Sequence, residues 1–384
     1  MYPDLSYLFH DLFGTEMDNW TSIFKTFGLL LASAIGVAAF ILYLELKRKA
    51  KEGVFQATEL KASTQKQLQP INLTLNALIG FLLGYKMGYI FTHFGAFKED
   101  AASVLISLDG NWIWGLGTAL LLVVLTFVDS KNRVKKEDSD KVKKIYPHNR
   151  IGDITITAAM CGIVGAKVFD LVEHWDEFVK QPYEVIFSGG GLAIYGGLIF
   201  GFIGVVTYLR YHKIPTLLVM DAVAPALIIS YGVGRMGCHF SGDGDWGIVN
   251  ANPEPSWWIF PDWAWSYNYP RNVLRAGAPI EGCDGIYCLE LTKAVYPTPI
   301  YEIILAGLIG LFLWKIRKRI KIAGLLFCIY LILNGIERYS IEIIRINERY
   351  ASFFNLTQAQ IIAIVSFILG VVGVILLLIN HKKE

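Results

Sequence analysis

Charge is scarce in this chain. Asp, Glu, Lys and Arg make up 18% of its 384 residues and apolar residues 54%, against about 25% charged and 45–50% apolar in soluble globular domains. That balance excludes an ordinary water-soluble fold and leaves a membrane protein. The formal net charge is only +2, so there is no basic excess for nucleic acid, and nucleic-acid binding is set aside. Five cysteines are too few for a disulfide framework. The first 25 residues lack the basic-then-apolar order of a cleaved leader, so the mature chain is expected to start at Met1.

What is present is a succession of apolar stretches of the length a bilayer requires, roughly 20 helical residues for about 30 Å of hydrocarbon. Nine stand out, at 26–46, 71–94, 112–128, 153–172, 188–209, 216–236, 298–314, 322–340 and 359–380. Connections alternate between two kinds. One set, at 47–70, 129–152, 210–215, 315–321 and the tail, holds 23 of the 35 lysines and arginines, and is expected on the cytoplasmic side. The amino terminus then lies outside and the carboxyl terminus inside.

The fold class expected is therefore all-α, a polytopic membrane helical bundle of about nine transmembrane helices, forming one integral membrane domain over 1–384. Residues 241–297 form its large outer segment. They carry five of the ten tryptophans, which suits either an arm on the headgroup layer or a small cap with an aromatic core. An outward position also permits a disulfide between Cys283 and Cys288.

Two glycine patterns concern helix packing. Gly80, Gly84 and Gly88 form a GxxxGxxxG face that admits a close neighbour. GYKMGYIFTHF from Gly84 and GAKVFDLVEHW from Gly165 also place Gly, Lys and His at equal offsets, pairing Lys86 with Lys167 and His93 with His174. A duplicated helix and chance similarity both account for this echo.

Ionisable groups inside membrane spans cost roughly 2.5–3.5 kcal/mol each on insertion scales, so they are functional candidates by default. Four clusters qualify. SGGGLAIYGG, from Ser188, offers Gly190, Gly191, Gly196 and Gly197 around Tyr195, as a ligand-approaching backbone or a tightly packed helix start. YGVGRMGCHFSGDGDWG places Arg235 between Gly234 and Gly237, followed by Ser241, Asp243 and Asp245. An arginine there can fork onto a phosphate or snorkel to headgroups. Two aspartates in a Gly-rich turn read as turn formers, so no metal is expected. YPTPIYE puts Tyr301 and Glu302 just inside a helix, where Glu302 calls for an arginine from another helix. NGIERYSIEIIR carries Asn334, Glu337, Arg338, Glu342 and Arg345, of which 334, 338, 342 and 345 align along one helical face, as a polar cavity lining or a buried charge network.

In this order the clusters resemble the prolipoprotein diacylglyceryl transferase family of the bacterial inner membrane. The resemblance covers about 23–46 and 153–380. The family's Gly-Arg-x-Gly-Asn-Phe-x-Asn-Gly-Glu is similar to GRMGCHFSGDGD, with its arginine at Arg235, its first asparagine replaced by Cys238 and its Asn-Gly-Glu by Ser241, Gly242 and Asp243. His-Pro-Ser-x-x-Tyr-Glu resembles Tyr296 through Glu302. Tyr-Gly-x-x-Arg-x-x-x-Glu-x-x-Arg resembles Asn334 through Arg345.

The resemblance implies a function: transfer of the diacylglyceryl group of phosphatidylglycerol to the lipobox cysteine of a prolipoprotein signal peptide, forming a thioether and releasing glycerol phosphate, with no cofactor. It implies catalytic roles for Arg235, Arg338 and Tyr195, and substrate contacts from Gly190, Gly191, Gly196, Gly197, Ser241, Asp243, Tyr301, Glu302, Asn334, Glu342 and Arg345. Three positions depart from the family. Tyr195 replaces its histidine, Phe27 a tyrosine in the first span, and Asn334 the tyrosine of the late motif. The helical pair at 71–128 is an insertion. The histidine replacement also allows an inactive lipid-binding or assembly subunit, and the Lys86 and Lys167 echo a transporter.

Overall fold

A computed structural model describes residues 1–55, 57–60, 70–99, 104, 107–134, 143–186, 193–347, 349–350 and 355–382. The chain separates into two compact units, Met1–Lys51 with Leu209–Glu384, and Glu52–Tyr208. The second interrupts the first in sequence. Each of the nine apolar stretches is helical over most of its described residues. Helices including Thr26–Lys51, Pro147–Glu173, Thr216–Ser241, Thr298–Ile316 and Gln358–His381 are long and apolar enough to cross a membrane.

The first unit opens with α1 (Leu5–Phe13), a short helix that the apolar runs do not announce. Asp4 caps it by accepting the Ser6 amide at 3.1 Å, and Gly14 ends it at φ 67°. These are the start and stop signals of any helix. The segment is held by the 241–297 loop: the Tyr287 amide donates to Tyr7 Oη at 2.9 Å and the Ile286 amide to Asp18 at 2.8 Å. That loop is closed by a disulfide between Cys283 and Cys288.

The body of this unit is a chain of packed helices. α2 (Thr26–Lys51) packs on α10 (Thr216–Ser241), α10 on α11 (Thr298–Ile316), and α12 (Leu325–Glu342) on α13 (Gln358–His381). In lipid there is no hydrophobic drive between apolar helices, so close approach rests on small residues. Gly232 faces Ala306, Gly310 faces Ile229, and Gly335 faces the Ala363 carbonyl. Ala224, Ile228, Ala306, Leu313 and Leu326 form the buried centre.

Polar groups at the helix ends are paired. Asp221 accepts the amides of Gly324 at 2.8 Å and Phe327 at 3.1 Å, which satisfies the first turn of α12. Glu45 is 1% exposed and is paired with Arg48 on its own helix and with Arg317 at 3.0 Å.

Between α10 and α11 the connecting segment is largely irregular, with one two-stranded ladder, β3 (Ala278–Pro279) against β4 (Leu289–Glu290). Trp246, Tyr269 and Val295 form a buried aromatic-aliphatic core, whereas Trp257 is 68% and Ile259 86% exposed. Residues 241–297 thus combine a packed core with an exposed apolar margin.

The second unit contains β1 (Thr58–Leu60), α3 (Pro70–Thr92), α4 (Phe94–Glu99), α5 (Trp112–Val134), β2 (Lys143–Ile145), α6 (Ile151–Glu173), α7 (Trp175–Lys180), α8 (Pro182–Ile186) and most of α9 (Ile194–Tyr211). The glycine face of α3 meets α5 at Trp114 and Thr118, whose hydroxyl donates to the Gly80 carbonyl at 2.7 Å. The paired lysines differ in chemistry. Lys86 donates to the carbonyls of Val104 at 3.0 Å and Asp109 at 2.9 Å, while Lys167 pairs with Asp170 at 3.1 Å. Nothing of a common charged pathway follows from the echo.

Candidate active site

α10 carries Tyr231, Arg235 and Cys238 in its last three turns and ends where Gly242 takes a left-handed conformation, φ 65°. Gly244, at φ 97°, repeats the reversal. These two positions suit glycine, because a Cβ is strained there. The reversal brings Asp245 back over the helix end. Its carbonyl accepts from Thr298 Oγ1 at 2.7 Å, and the Gly247 amide donates to the Tyr296 carbonyl at 2.8 Å.

The neighbouring helices complete the cluster. Pro297 and Pro299 start α11, an arrangement suited to the first turn, where amides have no helical partner. Glu302 follows one turn in and is 0% exposed. α12 contributes Arg338 and Glu342, and the chain just beyond it Arg345.

Glu302 is the hub. Its Oε1 accepts from Tyr231 Oη at 2.8 Å and from Arg338 at 2.8 Å, and lies 3.6 Å from Arg345. Its Oε2 lies 3.2 Å from Arg235 Nε. Asp245 bridges Arg235 and Arg345, and Arg338 also meets Glu342 at 3.3 Å. Arg235 lies over the Tyr231 ring, 5.1 Å from its centroid. Among the described residues, three guanidiniums thus meet three carboxylates, most of them out of water.

Such a network is costly to form and costly to break. Burying each ion costs several kcal/mol, which good geometry offsets, and removal of one partner strands the rest. It has two less committed edges. Arg345 has one guanidinium nitrogen without a hydrogen bond, and Asp245 is the more open carboxylate, its side chain 31% exposed. Burial first, and then the charge of Arg235, pulls Arg345 down to about 10, which leaves it charged at neutral pH. The arrangement is a set of forked donors beside a displaceable carboxylate, chemistry that suits a phosphate oxyanion.

The other residues singled out in the sequence take different places. Glu302 does find arginines from other helices. Ser241 donates to the Gly237 carbonyl at 2.8 Å inside its own helix. Asp243 accepts the Asp245 amide at 3.2 Å and faces Cys238; burial raises its carboxyl above the ordinary aspartate range. Tyr301 donates to the Ala264 carbonyl at 2.9 Å, tying α11 to the segment that precedes it. Asn334 is half-buried one turn below Arg338 and joins none of these ion pairs.

Gly196 and Gly197 lie against the backbone of α6 at Gly165 and Gly162, a close helix crossing. Tyr195 is half-buried in the first turn of α9 and belongs to the second unit. Gly190 and Gly191 lie outside the described residues, as does Lys141.

Sequence reasoning read Asp245 as a turn former and did not single out Tyr231. No charge count marks Asp245 either, since Glu302, Glu337 and Glu342 already match the three arginines in number. Cys238, Asp243 and Asp245 place ligand atoms within 4.8 Å of one another. A cation there would face Arg235 and Arg345, which already hold Asp245, so the donor set does not suit a metal.

The model of the prolipoprotein diacylglyceryl transferase family matches residues 104–376. A phosphatidylglycerol–prolipoprotein diacylglyceryl transferase of Leptospira interrogans is 27% identical over 278 residues, 64% of this chain and 78% of that protein. One of Clostridium novyi is 29% identical over 63% of this chain and 86% of its own length. One of Clostridium perfringens is 26% identical over 72% of this chain and 94% of its own.

Proposed function

Because the chain belongs to the prolipoprotein diacylglyceryl transferase family, we propose that its arginine–carboxylate cluster seats the phosphate of phosphatidylglycerol while the diacylglyceryl group moves to a prolipoprotein thiol. The acceptor is the lipobox cysteine of the signal peptide; a thioether forms and glycerol phosphate leaves. The observation that carries this reading is the convergence of Arg235, Arg338 and Arg345 on Glu302 and Asp245 at the ends of three apolar helices.

The chemistry follows from charge. As the carbon–oxygen bond to phosphate breaks, negative charge grows on the departing phosphate. Prepositioned donors in a site that excludes water stabilise that growth without having to reorganise. Asp245 occupies the anionic position between Arg235 and Arg345 when the lipid is absent, and the phosphate takes its place. Glu302 keeps the guanidiniums in register throughout.

The site lies at the periplasmic face of the bacterial inner membrane in a nine-span topology, with the amino terminus outside. The 23 lysines and arginines on one set of connections support this orientation. With an impermeant thiol reagent on intact spheroplasts, Glu254→Cys is expected to label and Lys141→Cys to stay unlabelled. Labelling at 141 would reverse the orientation.

The decisive assay is transfer of labelled diacylglyceryl from phosphatidylglycerol to a lipobox peptide by the purified protein; absence of transfer would reject the reading. In that assay Tyr195→Phe is expected to keep its rate within about tenfold, since general-base help is worth roughly 10²–10⁴-fold and a phenol of ordinary pKa near 10 is poorly matched to it. A larger loss would place the proton transfer on the Tyr195 hydroxyl.

A further inference from the structure

Thiol attack needs somewhere for the thiol proton to go. A thiol of ordinary pKa near 8.5 is mostly protonated at neutral pH, and the thiolate is the nucleophile. The carboxylates of the ion cluster are poorly placed to accept that proton. Glu302, Glu342 and Asp245 are each already engaged in ion pairs with guanidiniums.

Glu337 is different. It precedes Arg338 on α12, is 3% exposed, and has neither carboxylate oxygen in a hydrogen bond among the described residues. A buried carboxyl left without a donor is expensive, and such groups in a native structure call for an explanation. It faces the site: the ionisable groups around it are Glu302 on α11, Arg235 and Tyr231 on α10, and Arg338 and Tyr330 on its own helix. On its other side α12 meets Ala363 and Phe367 of α13 at Gly335, an apolar contact.

Depth gives the second argument. On α12 Glu337 is the innermost charged residue of the cluster, one residue before Arg338 and five before Glu342. In a phospholipid the carbon that bonds the phosphate oxygen lies on the acyl-chain side of the phosphate. With the phosphate at the guanidiniums, the electrophilic carbon, and hence the attacking sulfur, lies on the deeper side. That is the side of the cluster on which Glu337 stands along α12.

Resting on the transferase reading above, we propose that Glu337 is the proton acceptor for the attacking thiol. As sulfur bonds to the diacylglyceryl carbon, the thiol proton passes to the Glu337 carboxylate. The carbon–oxygen bond to phosphate breaks, and its electron pair leaves with glycerol phosphate. Glu337 then returns the proton to the released phosphate or to water.

The test uses the full-length protein in phosphatidylglycerol vesicles with two lipobox peptides, one with cysteine and one with selenocysteine at the acceptor position. A selenol is ionised at neutral pH and needs no base. Glu337→Gln is expected to lower kcat on the cysteine peptide by roughly 10²–10⁴-fold with little change in KM for the lipid. Raising the pH past about 8.5 is expected to restore much of the rate, and the selenocysteine peptide to restore it at neutral pH. Arg235→Ala is expected to gain from neither.

Wild-type rate and pH profile in Glu337→Gln would overturn the assignment, as would an equal deficit on both peptides at every pH. If the glutamine variant does not accumulate, Glu337→Asp carries the test. It is expected to slow the thiol reaction more than the selenol reaction, and equal slowing overturns the assignment. Absence of transfer by the wild-type protein would instead sink the transferase reading, and this proposal with it.

Discussion

Arg235→Ala is expected to abolish lipid transfer, with a loss of roughly 10³-fold or more, while the protein still inserts and purifies as a monodisperse species. The magnitude follows from what the guanidinium does. Removing one preorganised donor from an oxyanion site costs roughly 10²–10³-fold, and arginine clamps on phosphoryl groups are worth roughly 10³–10⁵-fold. Arg235 contacts both Asp245 and Glu302, so its loss also loosens the carboxylates that hold its neighbours. Arg235→Lys is expected to recover only a small part, because an ammonium is a point charge and cannot fork onto two oxygens. The labelled-lipid assay decides the matter: alanine at 235 with normal transfer would remove this residue from the mechanism.

The second large effect is on stability. Glu302→Ala is expected to destabilise the protein by about 3–5 kcal/mol, the usual cost of stranding buried charges. No other described carboxylate takes contacts from Tyr231, Arg235, Arg338 and Arg345 together. Glu302→Gln keeps the shape and an acceptor for the Tyr231 hydroxyl but not the charge, so its melting temperature in detergent is expected to fall between wild type and alanine. An unchanged melting temperature for Glu302→Ala would show that the guanidiniums find solvent or other partners, and would contradict a closed network.

Much of this architecture was legible in the order of the residues. Apolar runs of about 20 residues can satisfy their backbone in lipid only as helices or closed barrels, and helices indeed occupy them. α1 escaped because nine residues with polar caps carry no such run. The five charged members Arg235, Glu302, Arg338, Glu342 and Arg345 announced themselves by being ionisable where ionisable groups are expensive.

Asp245 did not, because its position depends on two left-handed glycines that turn the chain through space, and sequence spacing says nothing of where such a turn points. Tyr231 was hidden for another reason. In an apolar helix a tyrosine reads as a packing ring, and only the approach of Glu302 from a different helix gives its hydroxyl a task. Gly196 and Gly197 show the converse, a pattern open to two readings whose local geometry is a close helix crossing.

The discontinuity of the first unit sets an order of events during synthesis. α2 is complete when about 50 residues exist, but its partner α10 follows only about 160 residues later, some 10–30 s at synthesis rates of roughly 5–20 residues per second. Arg317, which later pairs with Glu45, arrives after a further hundred or so residues, several seconds more at those rates. Glu45 therefore needs a companion that is born with it. Arg48, three residues on along the same helix, is that companion, so the local pair lets the carboxylate wait in the membrane for the helix that will finally enclose it.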